Sequence, residues 1–143
     1  MTDNEIKNEV CDMARNLGAC RLIDGIRDLE ELSKYIFAPQ GLEFCTIHQF
    51  PALDILQQHK DIIEKYGYFV DCGFISRSND NNIVLAGDTT GELSFDDPTS
   101  LHKVILMHGA KATINASNYV VIKIYQIGEC NFEVNKDQTS IIL

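Results

Sequence analysis

From Ile83 onward the chain repeats itself, and the repeat limits what it can fold into. Three segments can be set by their first glycine: "GELSFDDPTSLHKVILMH" from Gly91, "GAKATINASNYVVIKIYQI" from Gly109 and "GECNFEVNKDQTSIIL" from Gly128. Each begins with a short alternating run: Leu93 and Phe95, then Ala112 and Ile114, then Cys130, Phe132 and Val134. A polar turn follows, and then a more strongly apolar run. The glycines lie 18 and 19 residues apart. Two strands per repeat, repeated, is the signature of a chain winding into a parallel β-solenoid. Each turn would lie about 4.8 Å above the last. The same pattern also fits an antiparallel β-sandwich or meander, with hairpin turns at "GDTTG", "HGAK" and "IGEC".

The first half reads differently. "TDNE" is a capping box, with Thr2 as cap and Glu5 three residues on. Ile6, Val10, Met13 and Leu17 follow as one helical stripe, and Gly18 is placed to end it. "DLEE" starts a second helix, with Asp28 as cap and Leu29, Leu32, Tyr35 and Ile36 as its apolar face. Pro39 and Gly41 in "APQG" break it. "LEFCTIHQ" predicts a short helix. "FPALDILQQHKDIIEKYG" predicts a longer one that ends at Gly67, with Pro51 in its first turn. The expected fold class is therefore α+β: an N-terminal helical bundle over residues 1–67 as one subdomain, then a short β-solenoid over 68–143 as the other. The helical half is expected to cap one open end of the solenoid. Ile114, Val121, Ile124 and Val134 are expected inside it.

With these patterns in view, a resemblance emerges. The chain over roughly 41–143 resembles a group of uncharacterised proteins from gut Bacteroidetes, their phages and mobile elements. Such proteins join a helical N-terminal half, with an "FC…FP" segment leading to a "YG" end, to a run of short Ala-, Asn- and Val-rich β-repeats. The matching positions are Phe44, Cys45, Phe50, Pro51, Tyr66, Gly67, Gly109, Ala110, Ile114, Ala116 and Val120. This chain has fewer repeats than the longer members. The resemblance implies winding and a mobile-element setting, and it implies no catalytic residue.

The residues that could carry chemistry do not assemble into a complete set. Cys45 and His48 are spaced C-x-x-H with His59 beyond, but structural zinc wants four ligands. Cys72 in "VDCGF" could act as a nucleophile with His102 or His108 as base. The neighbouring Asp71 opposes thiolate formation. Asp96 and Asp97 could hold a hard cation, though Asp-Asp-Pro is itself a turn signal. "AGDTTG" has loop glycines but lacks the Lys-Ser/Thr of a P-loop. Asn115, Asn118 and Asn135 are expected at turns, satisfying backbone groups. No catalytic, cofactor-binding or metal residue and no cofactor is therefore assigned.

Net charge is −9, with 21 acidic against 12 basic residues. That balance argues against a nucleic-acid groove or a polybasic membrane patch. Five cysteines without a C-x-x-C and a polar, acidic start point to a reducing cytoplasm. The expected function is a non-enzymatic protein-interaction module, such as an inhibitor, adaptor or immunity factor. The alternative is a small enzyme or ligand binder using a cleft near Asp71, Cys72 and His108. The apolar "TSIIL" end predicts a homodimer through the C-terminal coil.

Overall fold

Helix α1 (Asp3–Asn16) starts where the capping box places it. The Thr2 hydroxyl accepts the Glu5 N–H at 3.2 Å. Ile6, Val10, Cys11 and Ala14 make its buried face, and Gly18 follows with φ +94°. These features come from a computed structural model, which describes residues 2–19 and 21–143. Cys20 lies outside the described residues. After a 3-10 turn at Arg21–Gly25, α2 (Leu29–Phe37) is capped by Asp28, whose carboxylate accepts the Glu31 N–H at 2.8 Å.

Pro39 does more than end α2. It occupies the first turn of α3 (Pro39–His48), where its missing N–H leaves no bond unmade. The single longer helix expected next is broken into α4 (Leu53–Gln58), α5 (Lys60–Ile63) and a 3-10 turn at Glu64–Tyr66. The break falls at His59, whose backbone leaves the helical region (φ −115°, ψ 16°) while its side chain is buried. A helical stripe in sequence cannot report this, because His59 sits at an apolar-compatible spacing.

Nine strands follow, and every pairing is parallel. β1 (Tyr68–Val70), β3 (Asn82–Ala86), β5 (Leu101–Met107), β7 (Val121–Ile127) and β9 (Ile141–Ile142) form one sheet in that order. β2 (Gly73–Ser78), β4 (Thr89–Phe95), β6 (Lys111–Ala116) and β8 (Asn131–Lys136) form the other. The chain alternates between the sheets, so it winds a solenoid of about four turns, and the antiparallel alternative is overturned. The true repeat is longer than the glycine spacing. Val84 pairs with Ile105 and Ile105 with Tyr125, steps of 21 and 20 residues, whereas Tyr68 pairs with Val84 after only 16.

The three glycines used for alignment are not equivalent. Gly109 and Gly128 lie at corners with φ +85° and +80°, but Gly91 lies inside β4. A Cβ at Gly91 would come 2.6 Å from Leu85 Cδ1, so its smallness serves packing between the sheets.

Ile83, Leu85, Leu93, Val104, Leu106, Ile114, Val120 and Ile122 fill the space between the two sheets, with Ile124 and Val134 packed against them. The register places Val121 on the opposite face, where it is half-buried; Val120 and Ile122 point inward instead. The helices do not cap an open end. They lie on the outer face of the β1–β3–β5–β7–β9 sheet, where Tyr68, Val70, Val84, Ala86, Ile105, Met107 and Ile127 join the helical core. The physical reason is that β3 and β5 are apolar on both faces, as strands of a covered parallel sheet are. At the first coil the lid is Arg77, which occupies an inward register position beside Leu93. Its guanidinium lies 5.1 Å from the Phe69 ring centroid and makes two 2.9 Å bonds to Asp80.

The molecule is thus three layers: helices, a covered sheet and a bare sheet. No described helix is long and apolar enough to cross a membrane. Leu106 is fully buried between the sheets. Leu106→Ala should destabilise the fold by about 2–5 kcal/mol. Thr113→Ala, on the bare face, should stay within about 0.5 kcal/mol of the parent. Urea denaturation of the two variants checks both.

Candidate functional site

The bare sheet presents its outer face in three rows running across the coils. Strict alternation and parallel register stack Phe74, Thr90, Lys111 and Asn131 in one row. Ser76, Glu92, Thr113 and Glu133 make the second, and Ser78, Ser94, Asn115 and Asn135 the third. Phe74 is 69% exposed among these polar neighbours. Asn135 donates to the Asn115 side-chain oxygen at 3.1 Å, a ladder bond between successive coils. Asn115 and Asn135 therefore stand on the sheet face and not at turns, contrary to expectation. Parity in the strand decides this, because both lie two residues from an outward-facing neighbour.

Asn118 does work at a turn, as expected: its amide donates to Asp96 O at 3.0 Å. Asn79, not singled out from sequence, has the same kind of role one coil earlier. Its side-chain oxygen accepts the Asp96 N–H at 2.8 Å, and its amide donates to Asp96 Oδ1 at 2.7 Å. Both residues adopt φ near +60°, which asparagine tolerates well. The same corner carries two copies of one turn, Asp97-Pro98-Thr99-Ser100 and Asp137-Gln138-Thr139-Ser140. Asp97 Oδ1 accepts both the N–H and the hydroxyl of Thr99. Asp137 Oδ1 does the same for Thr139 and also for Ser140. The "D-x-T-S" identity across two coils was present in the sequence, but alignment on glycines hid it.

His102 ties the same corner together. It is fully buried, with Nδ1 2.9 Å from Asp80 O and Nε2 2.9 Å from Asp97 O, and its ring lies 4.9 Å from that of Phe95. Its two nitrogens thus link the corners of successive coils. The corner opens outward as a groove of about 830 Å³ that crosses the coils past Ser78, Ser94, Asn115, Asn135 and Asp137. A second open groove, about 670 Å³, lies at the first coil beside Lys34, Glu64, Arg77 and Asp80. Its cations are engaged: Arg77 with Asp80, Lys34 with Glu30 and Lys65 with Asp3.

The opposite corner holds the three residues considered for a cleft. Asp71 accepts from Gln57 Nε2 at 2.6 Å and from the Asp88 N–H at 2.8 Å; these bonds hold its carboxyl below the usual range, the Asp88 contribution being the larger. Cys72 Sγ donates to Val70 O at 3.5 Å. His108 Nε2 lies 2.7 Å from Pro51 O. None of the three lines either groove. His102, the other base considered for Cys72, is bound at the far corner.

The remaining candidates are likewise built into the fold. Cys45 faces the core while His48 is exposed, its ring tilted against that of Phe44 with centroids 4.5 Å apart, so the C-x-x-H pair diverges. Asp96 and Asp97 are the turn acceptors already described. Gly87 and Asp88 of "AGDTTG" form the corner before β4, and the carboxylate of Asp71 fills the space beside Gly87. Comparison with family models, with curated proteins and with solved structures gave no match.

Two outcomes follow. Burial pushes the Cys45 thiol up to about 12 and also raises that of Cys11. Burial raises the Cys130 thiol as well. In the native protein Cys11 and Cys45 should therefore resist iodoacetamide, while the half-buried Cys72 reacts ahead of both. Mass-spectrometric mapping over a time course checks this. Asp137 is held down to about 2, chiefly by the Thr139 hydroxyl. Its folded-state preference is for the carboxylate, so its contribution is present above about pH 4 and is lost as pH falls toward 2. The melting-temperature gap between the parent and Asp137→Ala should accordingly be widest near neutral pH and close between pH 4 and pH 2.

Proposed function

We propose that this chain is a non-enzymatic protein-interaction module, in the manner of an inhibitor, adaptor or immunity factor, and that the bare sheet is its binding wall. The observation that carries the reading is the asymmetry of the two sheets. One outer face is roofed by helices; the other is left uncovered, with Phe74 standing out of a polar surround. Aromatic side chains, phenylalanine among them, are enriched at protein interfaces relative to the rest of the surface. Glu92 and Glu133 share one row with no basic residue in it, and the Asp96, Asp97 and Asp137 corner flanks the wall. A partner with a basic, hydrogen-bonding surface suits this face. The alternative of a small enzyme near Asp71, Cys72 and His108 draws less support, because the Asp71 carboxylate and a His108 ring nitrogen already hold structural contacts.

A second reading concerns self-association. Ile141 and Leu143 are 53% and 62% exposed on the last coil, which favours a homodimer there. Light scattering over a dilution series separates the two readings: a dimer that dissociates on Ile141→Asp supports self-association, and a monomer at high concentration removes it.

The wall itself is tested by crosslinking and affinity capture from the native host with three proteins: the parent, Phe74→Ala/Glu92→Lys/Glu133→Lys, and Ile47→Ala, an exposed position on α3 in the helical layer, as a surface control. The expected result is a partner retained by parent and control and lost, by at least tenfold in yield, from the wall variant. Equal capture by the wall variant, with its circular dichroism unchanged, would overturn the proposal.

A further inference from the structure

The helical roof stops short of the sheet it covers. Tyr68, Val84, Ile105 and Met107 lie under it, with Tyr125 packed against it. Its margin is marked by Lys103, whose Nζ donates to Phe37 O at the end of α2 at 3.0 Å. Two residues nearer the start of the strands, on the same face, register stacks Leu101, Val121 and Ile141 in one row across three coils. None of the three joins either apolar core. Leu101 is 41% exposed, and Ile141 more so. Tyr119, at the corner that leads into Val121, is 68% exposed. Leu143 extends the patch: its N–H donates to Ile122 O and its carbonyl accepts the Ile124 N–H, which sets it beside Lys123. Most of the exposed large apolar side chains among the described residues thus gather in one place.

Charge divides the surroundings of this row in two. On one side lies the corner with Asp96, Asp97 and Asp137, which leads into Leu101 and Ile141. On the other stand Lys103 and Lys123, paired in register. Lys123 has no ion-pair partner among the described residues. An apolar row with acid along one flank and base along the other is complementary to itself. A two-fold axis lying along the row reverses the strand direction and sets each flank over the opposite flank of the mate. A two-fold across the row would instead oppose like charges. Resting on the self-association already proposed, we infer that its interface is this side face of the sheet and not the end of the last coil. Two copies pack their Leu101–Val121–Ile141 rows together with strands antiparallel, and the Asp97 and Asp137 corner of each meets Lys103 and Lys123 of the other. The coil end is the poorer site. Lys136 stands there at an inward register position beside Ala116 and donates to Ser140 O at 3.3 Å, so a cation closes it.

The test is sedimentation equilibrium of the full chain, which gives the dimer constant for the parent, Leu101→Asp, Gln138→Lys and Gln138→Glu. Leu101 lies on β5, two coils in from the chain end, so an end-to-end dimer does not touch it. Gln138 is exposed beside Asp137, so changing its charge leaves the turn bonds of Asp137 in place. The expected result is a dimer weakened at least about tenfold by Leu101→Asp. Gln138→Lys should weaken it about two- to fivefold and Gln138→Glu strengthen it by a similar factor, the size of one exposed ion pair. The Gln138 pair carries the test if Leu101→Asp lowers the melting temperature of the diluted protein. A dimer indifferent to all three changes would overturn this interface while leaving self-association through the coil end. Equal constants for the two Gln138 variants would overturn the antiparallel orientation. A parent that stays monomeric at high concentration removes self-association and this interface together.

Discussion

The whole arrangement depends on one constraint: the β1–β3–β5–β7–β9 sheet is apolar on both faces. Ile83, Leu85, Val104 and Leu106 face the other sheet, while Val84, Ala86, Ile105 and Met107 face away from it. Burying an aliphatic side chain is worth about 1.5–3 kcal/mol, so leaving the second set in water would forfeit a large part of the stability of so small a protein. The helices are the covering layer. Their own apolar stripes, Ile6–Val10–Ala14 on α1 and Leu29–Leu32–Ile36 on α2, have no other partner of comparable area. Helices and solenoid thus stabilise each other through one shared core.

That cover explains the second asymmetry. Only one sheet carries both-sided apolar strands. The strands of the other alternate, as in β4 and β6, whose outward positions are polar. This sheet needs no roof, and its outer face is left free. Its register is held by side chains and backbone at the corners. His102 bridges two coils, Asn79 and Asn118 hold positive φ and serve neighbouring turns, and the paired Asp-x-Thr-Ser turns neutralise their own N–H groups. Corners bonded in this way tie successive coils together and hold the outward side chains in register.

Much of this was legible from residue order. The capping boxes at Thr2 and Asp28 placed two helix starts correctly, because a cap is a local bond between residues three apart. The two-strand repeat was legible too and favoured winding, but the same repeat fitted antiparallel hairpins, and only the strand pairing decides between them. The period was misread, since glycine serves two ends here: positive φ at the corners of Gly109 and Gly128, and a small interior volume at Gly91. Val121 was misassigned for a related reason. In a run apolar at every position, nothing marks which parity faces inward, and a shift of one residue exchanges the faces.

The sequence by itself determined the helix starts at Thr2 and Asp28, the two-strand repeat and the acidic balance, because each rests on near neighbours or on composition, whereas parallel winding in place of antiparallel pairing was decided by the tertiary structure. Only the tertiary structure decided where the helices go and which sheet is left bare. Those outcomes depend on the competition among apolar surfaces far apart in the chain. His59 and Tyr68 show the difference: one breaks a helix and the other opens a strand, nine residues apart, and nothing in their spelling says that both line one cavity.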